Sequence, residues 1–276
     1  MKFSWGTCKL PAPISMIETI RIDDLTVLHA RPDNARHRPV VLVHGYFATA
    51  AVFRDWLPFF AGRGIPAYAV NLRGRAESRP GVDLGKASIQ DFVQDVADVV
   101  NQLDQPIVVG HSMGGLLAQC VAERGLAHAV ALVTPAPPRG ITVLTPALVL
   151  RQLKYLPAIL GSRIVRPTTG DLTALVLNRV PADQRPSVLR ELVPDSGRAG
   201  RDMSITGVRV DARNVRCPVL VVAADDDRFI PPAVARRVAV RYGAPLQSML
   251  GHGHMLVLEP GWEAVADVVA RWCAST

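Results

Sequence analysis

Residues 107–120 read IVVGHSMGGLLAQC. A short β-branched apolar run ending at Gly110 reads as a buried strand. The run from Met113 onward puts Leu116, Leu117, Cys120 and Val121 on one helical face. Ser112 stands at the junction, with Gly110 and Gly114 two residues to either side. Glycine is costly inside regular structure, so its use here implies that two backbones come too close for side chains. A strand turning that sharply into a helix projects the intervening hydroxyl above the sheet, the G-x-S-x-G arrangement of a nucleophile. The bland alternative is a glycine-rich turn with a capping serine. A dinucleotide-binding turn is disfavoured, because GHSMGG lacks the G-x-G-x-x-G spacing.

Working outward, short apolar runs alternate with helical patterns, the signature of a parallel sheet covered on both faces. The inner strands are expected at 39–46, 66–72, 106–110, 129–135, 218–225 and 245–250, all without alternation and therefore buried on both sides. Upstream, MIETIRIDDLTVLHAR alternates around Asp23-Asp24, which suggests an antiparallel edge hairpin. Helices are expected at 88–103, where Ser88 is a candidate N-cap, at 231–243, which ends on Gly243, and at 261–273. The alternation breaks between Pro137 and Arg216, a Leu- and Pro-rich region that reads as three or four short helices. The expected fold is therefore α/β: a mostly parallel sheet of about eight strands with helices on both faces, and a helical cap inserted after the sixth. The core would comprise 1–136 and 217–276, and the cap 137–216.

Composition narrows the function. The 276 residues carry a net charge of +7, spread as scattered arginines with no basic block, so nucleic acid is not an expected partner. No apolar run reaches the length of a membrane span, so stable membrane insertion is not expected. The start, MKFSWGTCKLPAP, has no continuous apolar segment and reads as lacking a signal peptide, which makes a cytoplasmic location the expectation. Cys8, Cys120, Cys217 and Cys273 form no CxxC pair and no zinc spacing, and read as free thiols. The oligomeric state is not legible.

A serine hydroxyl is a weak nucleophile until a base takes its proton, and the base works best when a carboxylate orients it. Asp225, Asp226 and Asp227 follow one expected strand, and His252 and His254 follow the last. The order Ser, Asp, His along the chain is that of the α/β-hydrolase arrangement. The backbone N–H of Met113, at a helix start, could meet an oxyanion.

Over nearly its whole length the chain resembles the α/β-hydrolase superfamily. VLVHGY (41–46) resembles its oxyanion segment, NLRGRAES (71–78) its D-L-R-G-H-G-x-S turn, and GHSMGG (110–115) its elbow. VLVVAADDDRFIPP (219–232) resembles its acid segment and GHGHMLVLEP (251–260) its histidine loop. Asn71, Arg75, Ala76 and Ala224 depart from the pattern, and Arg75 could alter the pocket rim. The resemblance implies Ser112 as nucleophile, Asp227 as acid and His254 as base. Asp225 and Asp226 would then be turn residues and His252 a loop neighbour. It also implies Tyr46 N–H as the second oxyanion donor, with Phe47 the runner-up, and structural roles for His44 and His111. No metal or organic cofactor is implied.

The implied activity is a serine hydrolase acting on a small-molecule carboxylic ester with an apolar acyl group. Phe47, Leu144, Leu148 and Tyr155 are candidate substrate contacts, together with Leu153, Leu156, Leu172, Leu175 and Leu177. The plainer reading is that these leucines merely pack the cap on the sheet. Thioesterase or acyltransferase chemistry could use the same residues, and a non-catalytic ligand-binding member of the fold is the alternative from another class.

Overall fold

In the computed structural model, residues 17–143 and 150–276 are described. Strands β1 (Glu18–Ile22) and β2 (Leu25–Ala30) form the expected hairpin. Asp23 and Asp24 both take positive φ, +44° and +62°, as a two-residue turn that follows strand twist requires. Next come β3 (Val40–Val43), β4 (Ala67–Val70), β5 (Ile107–His111) and β6 (Ala129–Val133). A ribbon of β7 (Ile164–Val165) and β8 (Asp195–Ser196) precedes β9 (Val219–Ala224) and β10 (Leu246–Met249). The main sheet has eight strands in the order β1-β2-β4-β3-β5-β6-β9-β10, with β1 and β2 antiparallel and every pair from β4–β3 onward parallel.

The pleat sends alternate residues to opposite layers. Val41, Val43, Val108, Leu132 and Val221 point to the layer that holds α2 (Ile89–Val100), α3 (Met113–Glu123) and α4 (Pro232–Tyr242). Val40, Leu42, Val109, Val133 and Val222 face the other layer, α1 (Trp56–Ala61) and α5 (Trp262–Ser275). Both stripes must be apolar, which is why the inner strands show no alternation. Ser88 caps α2 in a reciprocal box with Asp91, and Gly243 ends α4 in the left-handed conformation.

One expectation fails. The stretch 245–250 does form a strand, but β10 is the sheet edge, with Gln247 and Ser248 exposed rather than buried on both faces. The stretch between β6 and β9 carries short helices at Leu156–Leu160, Arg185–Glu191 and Gly197–Arg201, and a helical turn at Thr169–Asp171 running into a wider coil at Leu172–Val176. The β7–β8 ribbon within it was not expected. Among the described residues no helix is long and apolar enough to cross a membrane, and Cys120, Cys217 and Cys273 are free thiols. Cys8 lies outside the described residues.

Candidate active site

Ser112 joins β5 directly to α3 with φ +55° and ψ −117°, a conformation costing a non-glycine residue on the order of 1–3 kcal/mol. Its surroundings enforce it. A Cβ on Gly110 would lie 2.1 Å from the Gly114 carbonyl oxygen, and one on Gly114 would lie 2.1 Å from that of Val43. Ser112 N–H donates to Val133 (3.0 Å), and its carbonyl accepts from Gly115 and Ala136 (2.9 Å each). The close approach inferred from the glycines is thus a physical contact between β3, β5 and α3.

Asp227 lies just past β9. Its Oδ1 accepts from the N–H groups of Phe229 and Ile230 at 2.8 Å each, which fixes the carboxylate in an Asx turn. Its Oδ2 lies 2.8 Å from His254 Nδ1, and His254 Nε2 lies 3.0 Å from Ser112 Oγ. With a carboxylate at Nδ1, that nitrogen carries the proton, which leaves Nε2 as acceptor for the serine hydroxyl. Both Asp227 and His254 are buried. Asp225 and Asp226 form the turn, their N–H groups donating to Met249 and His252, and neither they nor His252 enters the chain of bonds.

The histidine loop is held from several sides. His111 Nε2–H donates to the His254 carbonyl at 2.8 Å, Trp56 Nε1–H to Val257 at 2.8 Å, and Gly253 N–H to Glu259 Oε2 at 2.7 Å. Burial pushes Glu259 up to about 7. His44 and His111 are both held down to about 3, chiefly by burial, and so are neutral at pH 7. His44 Nδ1–H donates to the Gly45 carbonyl and Nε2 accepts from Leu72 N–H.

Met113 N–H opens α3, among the amides with no carbonyl partner inside a helix. Of the two candidate donors on the opposite wall, Phe47 N–H is already taken, donating to Asp195 Oδ2 at 2.8 Å. Among the described residues Tyr46 N–H meets no acceptor. A cavity of about 390 Å³ is lined by Ser112, His254, Tyr46 and Phe47. Its walls come largely from the stretch between β6 and β9, including Tyr155, Leu172 and Leu175. Leu156 is partly buried but lies outside the cavity lining, Leu153 is exposed, and Leu177 packs into the sheet layer. Leu144 and Leu148 lie outside the described residues. Sequence reasoning missed Asp195 and Glu259. Asp195 carried no local signal, whereas Glu259 closes the quoted 251–260 segment as the one carboxylate in an apolar run.

A doubly layered sheet with a strained serine beside a buried imidazole and carboxylate is the frame of a hydrolase. The chain belongs to the alpha/beta hydrolase family, whose model matches residues 40–268. It is 28% identical over 265 residues to the monoacylglycerol lipase of Mycolicibacterium smegmatis, covering 88% of this chain and 90% of that one. Identity to the pyrethroid hydrolase of Sphingobium wenxiniae is 26% over 228 residues, covering 75% and 77%. The crystal structure of the Paleococcus ferrophilus monoacylglycerol lipase superposes with a TM-score of 0.68 at 21% identity, covering 90% of this chain and 98% of that one.

Proposed function

We propose that the protein hydrolyses a carboxylic ester with an apolar acyl group through an acyl-Ser112 intermediate. The observation that carries this reading is the unbroken chain Ser112 Oγ, His254, Asp227, opening into a mostly apolar cavity. His254 Nε2 takes the Ser112 proton as Oγ attacks the ester carbon. The carbonyl oxygen becomes an oxyanion, for which the N–H groups of Met113 and Tyr46 are the donors. Each such donor is worth about a hundredfold to a thousandfold in rate. Asp227 stays ionised and steadies the imidazolium, which then protonates the departing alkoxide. Water, deprotonated by His254, attacks the acyl carbon and releases the acid with Ser112 restored.

Residues 137–216 act in this reading as a cap that selects the acyl group. Similarity to a monoacylglycerol lipase supports an apolar acyl ester over a polar one. Two measurements test the reading. A fluorophosphonate should label the protein at Ser112, and Ser112→Ala should abolish labelling. A series of p-nitrophenyl esters from acetate to palmitate should show turnover that depends on chain length. Labelling that survives Ser112→Ala, or no turnover at any length, defeats it.

A further inference from the structure

The Tyr46–Phe47 loop is gripped by one short piece of the stretch between β6 and β9. Phe47 has φ +65°, which a bulky residue holds only when its surroundings dictate it. Its carbonyl accepts from Val193 N–H at 2.8 Å and its N–H donates to Asp195 Oδ2 at 2.8 Å. Tyr46 Oη–H donates to the Ser196 carbonyl at 2.5 Å. The peptide bearing the proposed oxyanion donor is therefore fixed by its next neighbour on both faces and by its own side chain.

Asp195 has no exposed surface. Its Oδ1 accepts from Ser196 N–H at 2.7 Å and lies 2.5 Å from Arg75 Nη2. Arg75, from the turn after β4, is almost fully buried; its Nη1 donates to the Arg73 carbonyl and its guanidinium lies over Phe92. Arg75 Nε and Nη2 make no hydrogen bond among the described residues, so Arg75 meets Asp195 by charge alone; the pair is not optimised for stability, and burying two ions is costly in any case. Its placement suggests an electrostatic purpose. A lone carboxylate on the amide next to an oxyanion donor would oppose the charge that develops there, and the Arg75 cation cancels it. The same cation adds to the burial that keeps neighbouring His44 neutral.

We propose that Asp195 is a positioning residue for the oxyanion donor of Tyr46, and that Arg75 neutralises its charge. The donor is then correctly aimed only while the 193–196 stretch is docked. This rests on the acyl-serine reading above.

The test is the rate constant of fluorophosphonate labelling per titrated active site, read beside kcat and KM for a short ester. Counting only competent sites removes any loss from misfolding. Asp195→Ala should slow labelling and kcat by about tenfold to a hundredfold with KM within about threefold, part of the full value of one donor. Asp195→Asn, which retains an oxygen for Phe47 N–H, should stay within about threefold of the parent. Arg75→Met should be slow, and Arg75→Met combined with Asp195→Asn should recover. Per-site rates that are equal in the parent and Asp195→Ala overturn the proposal, as does a double variant as slow as Arg75→Met. Absence of labelling in the parent protein would instead refute the acyl-serine reading.

Discussion

Ser112, Asp227 and His254 sit on turns fed by strands such as β5 and β9, whose residues are all buried and hydrogen-bonded to neighbours far away in sequence. Among the described residues, the helices at Leu156–Leu160, Arg185–Glu191 and Gly197–Arg201 are five to seven residues long, and the stretch between β6 and β9 exposes Leu153, Leu160 and Ile205. Short helices with few buried contacts draw little stability from their own hydrogen bonds. In the proposed function the two regions would divide the work: the sheet would hold the reacting atoms where a small displacement is ruinous, and the stretch between β6 and β9 would shape the space around them.

That division can be broken most forcefully at Asp227. Asp227→Asn should leave the fold and KM nearly unchanged while kcat falls by roughly a thousandfold to ten-thousandfold, through loss of the correct imidazole tautomer. A fall under tenfold would mean that the carboxylate serves only the turn. Next is Gly114→Ala. Its Cβ would meet the Val43 carbonyl at 2.1 Å, where only backbone movement can give relief. Thermal melting should show a loss of about 3 kcal/mol or more, together with loss of phosphonate labelling.

A change in the inserted stretch should behave differently. Leu175→Trp would fill part of the cavity wall and should cut kcat/KM for long acyl esters by about tenfold to a hundredfold, with acetate turnover nearly constant. Equal losses at every chain length would erase the distinction between the regions. The last effect is one of pH and concerns Glu259. Its carboxyl, ordinarily near 4.5, is pushed up to about 7 by burial. Below pH 4.5 it is neutral whether folded or unfolded; between 4.5 and 7 only the unfolded chain ionises, so stability drains away as pH rises. Glu259→Gln keeps an acceptor for Gly253 N–H and removes that drain. Urea titrations should show the variant gaining on the parent by about 1–3 kcal/mol from pH 5 to pH 8. A constant gap would contradict the assigned burial.

The sheet was largely legible because its physics is local. Apolar runs mark strands buried on both faces, and the glycines around Ser112 mark the close approach of β3, β5 and α3. The alternation of MIETIRIDDLTVLHAR around Asp23-Asp24 betrayed the hairpin. Edge and interior strands were not distinguishable, since PLQSML has strand character but its place in the order depends on the whole topology. The ribbon of β7 and β8 is two residues wide, too short for any period to register. Arg75 drew notice as a departure at a turn, but its partner Asp195 lies 120 positions away in a stretch with no pattern of its own. Long-range charge pairing is invisible until the fold brings the ends together.

Strands β6 and β9 are parallel and adjacent. A chain leaving the top of one must travel back to the bottom of the other, which takes about a dozen residues at minimum. The stretch between them is therefore an obligatory crossover that has grown, and its removal would detach β9 and β10 from the other six strands of the sheet. Engineers could shorten or transplant its outer loops while the return path is kept. Descendants of this chain could likewise change what they accept by lengthening that detour, leaving the scaffold beneath it untouched.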